Sequence, residues 1–175
     1  MRKLLALAAL ITALSASTAL LAQKPPLSPP EQVQLSSHGQ TITIKYSAPS
    51  VRSRKIFGAG GLLSRDPTYP VWRAGANAAT ALHTDANLQL GNLQVPAGNY
   101  TLFVLVSDPG HWQLIVNKQT GQWGLTYKPK LDLGRTPMDM SVPPLPIERL
   151  RYILAPHKLT LEWDGHIASV PMAIQ

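Results

Sequence analysis

Apolar side chains recur at every second position through much of this chain, and this period of two limits its fold more than any other feature does. Residues 41–46 (TITIKY) alternate apolar or aromatic residues with polar ones, and residues 149–154 (RLRYIL) and 158–163 (KLTLEW) do the same. Successive side chains of a β-strand point to opposite faces, whereas a helix repeats every 3.6 residues. Each run is therefore predicted to be a strand with one buried face.

One stretch, residues 100–106 (YTLFVLV), is apolar on both alternations. Such a run predicts a strand in the middle of a sheet, where both faces are covered. Residues 111–117 (HWQLIVN) are its predicted hairpin partner. The Ser-Asp-Pro-Gly segment at 107–110 lies between them, and Asp, Pro and Gly are the residues that tight turns prefer.

The end of the chain carries a second hairpin signal. Asp164-Gly165 predicts a two-residue turn before a last strand around residues 170–174. Pro171 has no amide hydrogen to donate, so this last strand is predicted to be an edge strand or to be bulged. The one helical candidate is a turn or two at residues 77–80 (NAAT).

Short strands separated by glycine and proline turns predict an all-β fold. We expect a single antiparallel β-sandwich over residues 31–175, jelly-roll-like in topology, with a partly closed barrel as the alternative. The sequence contains no cysteine, which excludes disulfides and thiolate metal sites. The fold must therefore be stabilised by its hydrophobic core alone.

The N-terminus resembles a secretory signal peptide. Arg2-Lys3 precede an apolar segment at residues 4–14, and small residues continue to Ala22. Residues 1–22 are the predicted signal peptide, with cleavage after Ala19 or an uncleaved anchor as alternatives. A proline-rich tether follows at residues 23–30 (QKPPLSPP). We therefore expect a periplasmic or secreted protein whose mature chain contains no transmembrane span.

The charge of the chain gives little support for a nucleic-acid partner. Removing Arg2 and Lys3 lowers the net charge from +7 to about +5. The basic residues are dispersed apart from residues 52–55 (RSRK), and no basic stripe interleaved with aromatic residues occurs.

The run at residues 71–80 (VWRAGANAAT) joins an aromatic residue, a cation and a carboxamide to a turn of small residues. An arginine fork can pair with an anionic or carboxamide group, and an asparagine side chain both donates and accepts hydrogen bonds. A tryptophan offers a stacking face for a sugar. The predicted ligand-binding residues, expected to share one end of the sandwich, are Arg54, Trp72, Arg73, Asn77 and Thr80.

A structural role is the competing interpretation of this run. Arginine and asparagine often satisfy the carbonyls of a loop, and a large aromatic commonly closes the end of a sandwich. Trp123, in the predicted hairpin loop at residues 117–124, poses the same choice between ligand binding and packing. Packing over the sheet end is the favoured interpretation for Trp123, because tryptophans are mostly buried.

Four blocks in order resemble one bacterial family. The blocks are residues 46–58 (YSAPSVRSRKIFG), 71–80, 96–103 (PAGNYTLF) and 112–118 (WQLIVNK). Together they are similar to the domain of unknown function 2911, over roughly residues 28 to 174.

The resemblance implies an exported, β-rich single domain, with no assigned activity and no catalytic residue to transfer. Two positions depart from the family pattern, which usually has glycine at Ser53 and an acidic residue at Ala78. If that acidic residue served as a general base in the family, this chain would lack it.

A binding or structural module of the cell envelope is the predicted function, with a small polar ligand, a glycan or an envelope protein as its partner. The alternative is a hydrolase-type enzyme near the same loop, using His83, Asp85 or His111 as acid and base. No metal motif, no nucleophile elbow and no phosphate loop occurs, so no metal and no cofactor is predicted.

Overall fold

The structure, a computed structural model, describes residues 25–175. The predicted signal peptide and the first two residues of the predicted tether lie outside the described residues. Thirteen strands form in the part of the chain that is described. They are β1 Pro30–Ser37, β2 Gln40–Ser47, β3 Val71–Trp72, β4 Thr80–Thr84, β5 Leu88–Leu90, β6 Leu93–Val95, β7 Gly98–Leu105, β8 Gln113–Asn117, β9 Asp132–Pro137, β10 Asp139–Ser141, β11 Ile147–Ala155, β12 Lys158–Asp164 and β13 His166–Ile174.

The strands form two antiparallel sheets that pack face to face as a β-sandwich. The front sheet has the order β1-β2-β4-β7-β8-β9, with β3 paired to β7, and the back sheet has the order β11-β12-β13-β5-β6, with β10 paired to β13. The prediction of a sandwich is confirmed, and the sheets do not close into a barrel. The helices among residues 25–175 are two short 3₁₀ turns, Leu63–Arg65 and Pro129–Leu131, and neither is long enough to cross a membrane.

The period-two runs place their apolar faces between the sheets. In β2, Ile42 and Ile44 are at most 1% exposed, and Leu161 and Trp163 of β12 are equally buried opposite them. Full burial of one such side chain contributes roughly 1.5–3 kcal/mol, so this shared core supplies the main driving force for folding.

Strand β7 is covered on both faces, as its sequence predicted. It lies between β4 and β8, and its outward-facing Phe103 is 0% exposed. Phe103, Val71 and Ile115 form a second, smaller apolar cluster on the outer face of the front sheet. Tyr127 packs on this cluster, with its ring centroid 4.9 Å from that of Phe103. The segment between β8 and β9 therefore covers this part of the sheet.

Two local predictions were wrong. Residues 77–80 are not helical, because Asn77 has φ 59° and Thr80 begins β4. Strand β13 is not an edge strand, since it pairs with β12 on one side and with β5 on the other. On the side opposite β12, β13 pairs with β10 up to Ser169 and with β5 from Met172 onward. Pro171 lies between these two pairings, so its missing amide falls where the neighbouring strand on that side changes.

The beginning of the described chain contacts the sandwich. The carbonyl of Leu27 accepts a hydrogen bond from Arg52 Nη2 at 2.7 Å, and the carbonyl of Pro29 accepts one from the Ala48 amide at 2.8 Å. Strand β1 then begins at Pro30, one residue before the predicted domain boundary.

Candidate functional site

The turn after β3 is built around the buried indole of Trp72. Trp72 is 2% exposed and pairs with Val104 of β7. Its Nε1 donates a hydrogen bond to the carbonyl of Gly75 at 3.0 Å, which closes the turn. In this conformation Trp72 presents almost no surface to solvent, and its ligand-binding role stays a prediction.

Two buried hydroxyls fix the same turn from opposite sides. Thr80 Oγ1 donates to the carbonyl of Ala74 at 3.0 Å, and the Tyr152 hydroxyl donates to that carbonyl at 2.9 Å. Burial strongly raises the pKa of Tyr152, so the phenol remains a neutral donor. A Cβ at Gly75 would lie 2.8 Å from Thr80 Oγ1, and only glycine fits there. Thr80 is 0% exposed, so in this conformation its hydroxyl stabilises the turn and does not face solvent.

The turn is joined to a distant loop by a short backbone bridge. Ala78 and Trp123 form an isolated antiparallel bridge. The amide of Gly124 donates a hydrogen bond to the carbonyl of Asn77 at 3.0 Å. The amide of Ala79 donates one to the carbonyl of Gln122 at 3.2 Å. Residues 122–124 are thereby brought against residues 77–79, although they are far apart in sequence.

Arg73 lies beneath this bridge. Its side chain is 16% exposed, and Nη2 lies 3.6 Å from Oδ2 of Asp66, whose side chain is 22% exposed. Arg73 Nε and Nη1 are buried and form no hydrogen bond within the described chain. The part of the guanidinium that remains available to solvent is therefore the Nη2 side, which faces Asp66.

Trp123 is exposed, contrary to the packing interpretation. It is 57% exposed beside the exposed Asn77. The left-handed backbone at Asn77 suits asparagine, which tolerates φ > 0 better than other non-glycine residues. We call the surface formed by Asp66, Arg73, Asn77 and Trp123 the corner site.

Arg54 is held by hydrogen bonds within its own turn. Its Nε donates to the carbonyl of Val51 at 2.9 Å and its Nη2 donates to that of Ser50 at 2.6 Å. Arg54 lines a separate cleft with Lys55 and Arg65. The five predicted residues therefore divide among a buried turn, an exposed corner and this cleft.

Two residues of the acid–base alternative, His83 and Asp85, lie together at the outer face of the front sheet. His83 Nε2 is 3.0 Å from Asp85 Oδ1, and His83 Nδ1 is 2.9 Å from Asn99 Oδ1. Asp85 Oδ2 accepts the Thr41 amide at 3.1 Å, which fixes the carboxylate. His83 and Asn99 line an open cleft of about 310 Å³, together with Lys45.

His111 lies far from this pair, because His83 is opposite the beginning of β7 and His111 follows its end. His111 Nδ1 contacts Asp108 Oδ2 at 2.7 Å in an exposed turn. The Gly110 amide, and then the His111 ring, lower the pKa of Asp108. Within residues 25–175, no group of three His, Asp or Glu side chains is arranged to hold a metal ion.

The fold and the site define a class of protein: an antiparallel β-sandwich with a polar and aromatic corner assembled from two loops. The chain belongs to the family described as protein of unknown function (DUF2911), which it matches over residues 28–172. Comparison with curated proteins gives no match, and neither does comparison with solved structures.

Sequence reasoning missed two members of the corner. Asp66 lies only seven residues before Arg73 and was not singled out as its ion-pair partner. Trp123 was considered, but burial was favoured for it. Its neighbours Gly121, Gln122 and Gly124 provide no apolar alternation that would bury it, and this is the signal that could have identified it as exposed.

Proposed function

We propose that this protein is an exported binding module of the cell envelope, and that its corner site binds a glycan or a similar polar ligand without catalysing a reaction. The observation that carries the proposal is the 57% exposed indole of Trp123, joined by a backbone bridge to the turn that presents Asn77. Aromatic residues exposed on rigidly held loops are typical of binding surfaces.

The chemistry of the corner site suits a sugar. An indole face packs against the apolar C–H face of a pyranose ring, and the Asn77 carboxamide can donate to one hydroxyl and accept from another. The partly exposed Asp66 adds an acceptor, and Arg73 Nη2 lies beside it at 3.6 Å. The proposed export rests on the N-terminal sequence and makes cell-wall glycans the first ligands to test.

The four tryptophans provide a selective test, because Trp123 is exposed while Trp72, Trp112 and Trp163 are at most 2% exposed. Acrylamide quenching of intrinsic fluorescence should therefore report mainly on Trp123. Lysozyme-digested peptidoglycan and purified chito-oligosaccharides are the probes. A bound glycan is expected to reduce quenching and to raise the melting temperature, because it binds only the folded state.

Trp123→Ala is expected to abolish the rise in melting temperature. Leu145→Ala removes another exposed apolar side chain, 75% exposed, and should leave the rise unchanged. Asn77→Gly removes the carboxamide while keeping the left-handed backbone accessible, and it should weaken binding. The proposal is wrong if neither probe shifts the wild type, or if Trp123→Ala responds as the wild type does.

A second candidate function is hydrolysis with His83 as general base. Its support is the 3.0 Å contact between His83 and Asp85 beside the open cleft. Both ring nitrogens already have partners, so the base would have to be freed from Asn99. His83→Gln is expected to lower hydrolysis of a p-nitrophenyl ester by about 10²-fold or more, and Asn99→Ala to preserve it. Equal rates in the wild type and His83→Gln would exclude this candidate.

A further inference from the structure

Three basic side chains line a single cleft next to the glycine-rich turn at residues 58–61. The cleft has a volume of about 260 Å³ and is lined by Arg54, Lys55, Gly60, Leu62 and Arg65. No carboxylate is among these lining residues. Positive charges grouped in this way repel one another, and an anion between them would remove the repulsion.

Neutral backbone carbonyls position two of the three cations without neutralising them. Arg54 is held by the carbonyls of Ser50 and Val51, and Lys55 Nζ donates to the carbonyl of Ala59 at 2.6 Å. Each bond restricts the side chain in advance of binding, and Lys55 Nζ keeps two further donors.

The acidic residue nearest in sequence does not neutralise the positive charge of the cleft. Asp66 follows Arg65 directly, but its carboxylate faces Arg73 at 3.6 Å. Across residues 25–175, none of Arg54, Lys55 and Arg65 forms an ion pair within 4.0 Å. The cleft therefore keeps its three formal positive charges.

We propose that this cleft binds a phosphate group. Arginine and lysine form strong charge-assisted hydrogen bonds with phosphate oxygens. A carboxylate offers two oxygens, which one arginine fork can satisfy, whereas three separate cations suit a group that offers three or four oxygens. The cleft shares no residue with the corner site, so the inference is independent of the proposed glycan binding.

Inorganic phosphate and the headgroup of an anionic phospholipid share this chemistry, and separate arms of the test distinguish them. Calorimetric titration with inorganic phosphate measures the free ion. Sedimentation with phosphatidylcholine vesicles containing phosphatidic acid, against vesicles of phosphatidylcholine alone, measures the headgroup. Binding in either arm supports the site and identifies its source.

Arg65→Gln is the informative variant, because Arg65 is exposed and forms no ion pair that its loss would break. It is expected to weaken phosphate binding about tenfold, the usual scale for one charge-assisted contact. Lys130→Gln removes the same charge from the 3₁₀ turn Pro129–Leu131, outside the cleft, and should change affinity less than about twofold.

Three results would overturn the inference. The first is absence of binding in both arms with the wild-type protein. The second is equal weakening by Arg65→Gln and Lys130→Gln, which would indicate attraction to net charge alone. The third is unchanged binding in both Arg65→Gln and Lys55→Gln while their melting temperatures match the wild type.

Discussion

The side chain of Arg73 lies directly against the backbone of Gly124. A Cβ placed at Gly124 would come within 2.0 Å of Arg73 Cδ and within 2.6 Å of the Asn77 carbonyl oxygen. Because Gly124 also donates its amide to that carbonyl, one residue without a side chain both covers the arginine and fixes the loop that carries Trp123. The corner site therefore depends on this close approach.

Gly124→Ala is predicted to destabilise the fold and separate the two loops. Arg73 could move aside, but the Asn77 carbonyl belongs to the backbone and cannot yield without breaking the bridge. Overpacking of this kind typically costs about 1–3 kcal/mol, measurable by urea unfolding. Gly165→Ala is the control, since its Cβ would meet no atom within 4 Å. A Gly124→Ala protein as stable as Gly165→Ala would contradict the prediction.

The carbonyl of Ala74 allows a test of coupling between the two sheets. Thr80→Val and Tyr152→Phe each remove one of its two hydrogen bonds and should each cost about 0.5–1.5 kcal/mol. The double variant leaves a buried carbonyl without either partner and is predicted to cost more than the sum of the single variants. A double-mutant cycle of chemical denaturation measures this coupling free energy, and strict additivity would show that the hydroxyls act independently.

The sequence was sufficient for the fold because its alternation of apolar residues directly encodes two buried faces. The 41–46, 158–163 and 100–106 runs all form strands, and the last is central, as its two apolar faces required. The role of Pro171 could not be read in this way. Whether a proline amide is needed depends on which strands lie alongside, and Leu90 of β5, which pairs with Met172, is far earlier in the chain.

The candidate site was less predictable because it depends on contacts distant in sequence. The polar run of residues 71–80 was recognised as a candidate site. The identity of a residue, however, does not reveal whether its side chain is exposed to solvent. Trp72 is buried and Trp123 is exposed, although both tryptophans have polar residues or glycine beside them in the sequence. The pairing of Ala78 with Trp123, which brings the corner together, is a tertiary contact that no local pattern encodes.

Tyr127 is predicted to ionise at a higher pH than an ordinary tyrosine, and the stability of the fold is predicted to fall when it does. Its hydroxyl donates to Asp132 Oδ2 at 2.7 Å and accepts from Arg135 Nη2 at 2.8 Å. Burial, and next the hydrogen bond to Asp132, raise its pKa to about 12. An unfolded tyrosine ionises near pH 10, so this stabilisation is complete below about pH 10 and is lost as the pH rises through about 12.

Tyr127→Phe tests this assignment. In a spectrophotometric titration of tyrosinate absorbance, the variant should lack the component that ionises near pH 12. At neutral pH it should lose only about 0.5–1.5 kcal/mol, because Asp132 and Arg135 still pair at 3.0 Å. Identical titration curves for the variant and the wild type would contradict the assignment.

His166 is predicted to make the fold sensitive to acid. Its ring stacks on Trp112 with centroids 5.0 Å apart, and its Nδ1 is buried without a hydrogen-bond partner in the described chain. Burial lowers the pKa of His166, and the charge of Asp164 opposes this only partly. The unfolded chain, with a histidine pKa near 6.5, therefore binds more protons than the folded one in mildly acidic solution.

Because the unfolded chain binds more protons than the folded one, acidification lowers the free energy of unfolding. The stabilisation is complete above about pH 6.5 and is lost as the pH falls through the lower pKa of the folded state. His166→Phe keeps an aromatic ring against Trp112 and removes the titration, so its melting temperature should fall less than that of the wild type between about pH 7.5 and about pH 5. His38→Gln, which alters an exposed histidine, should follow the wild type. If His166→Phe loses stability as steeply as the wild type does, the acid sensitivity has another source.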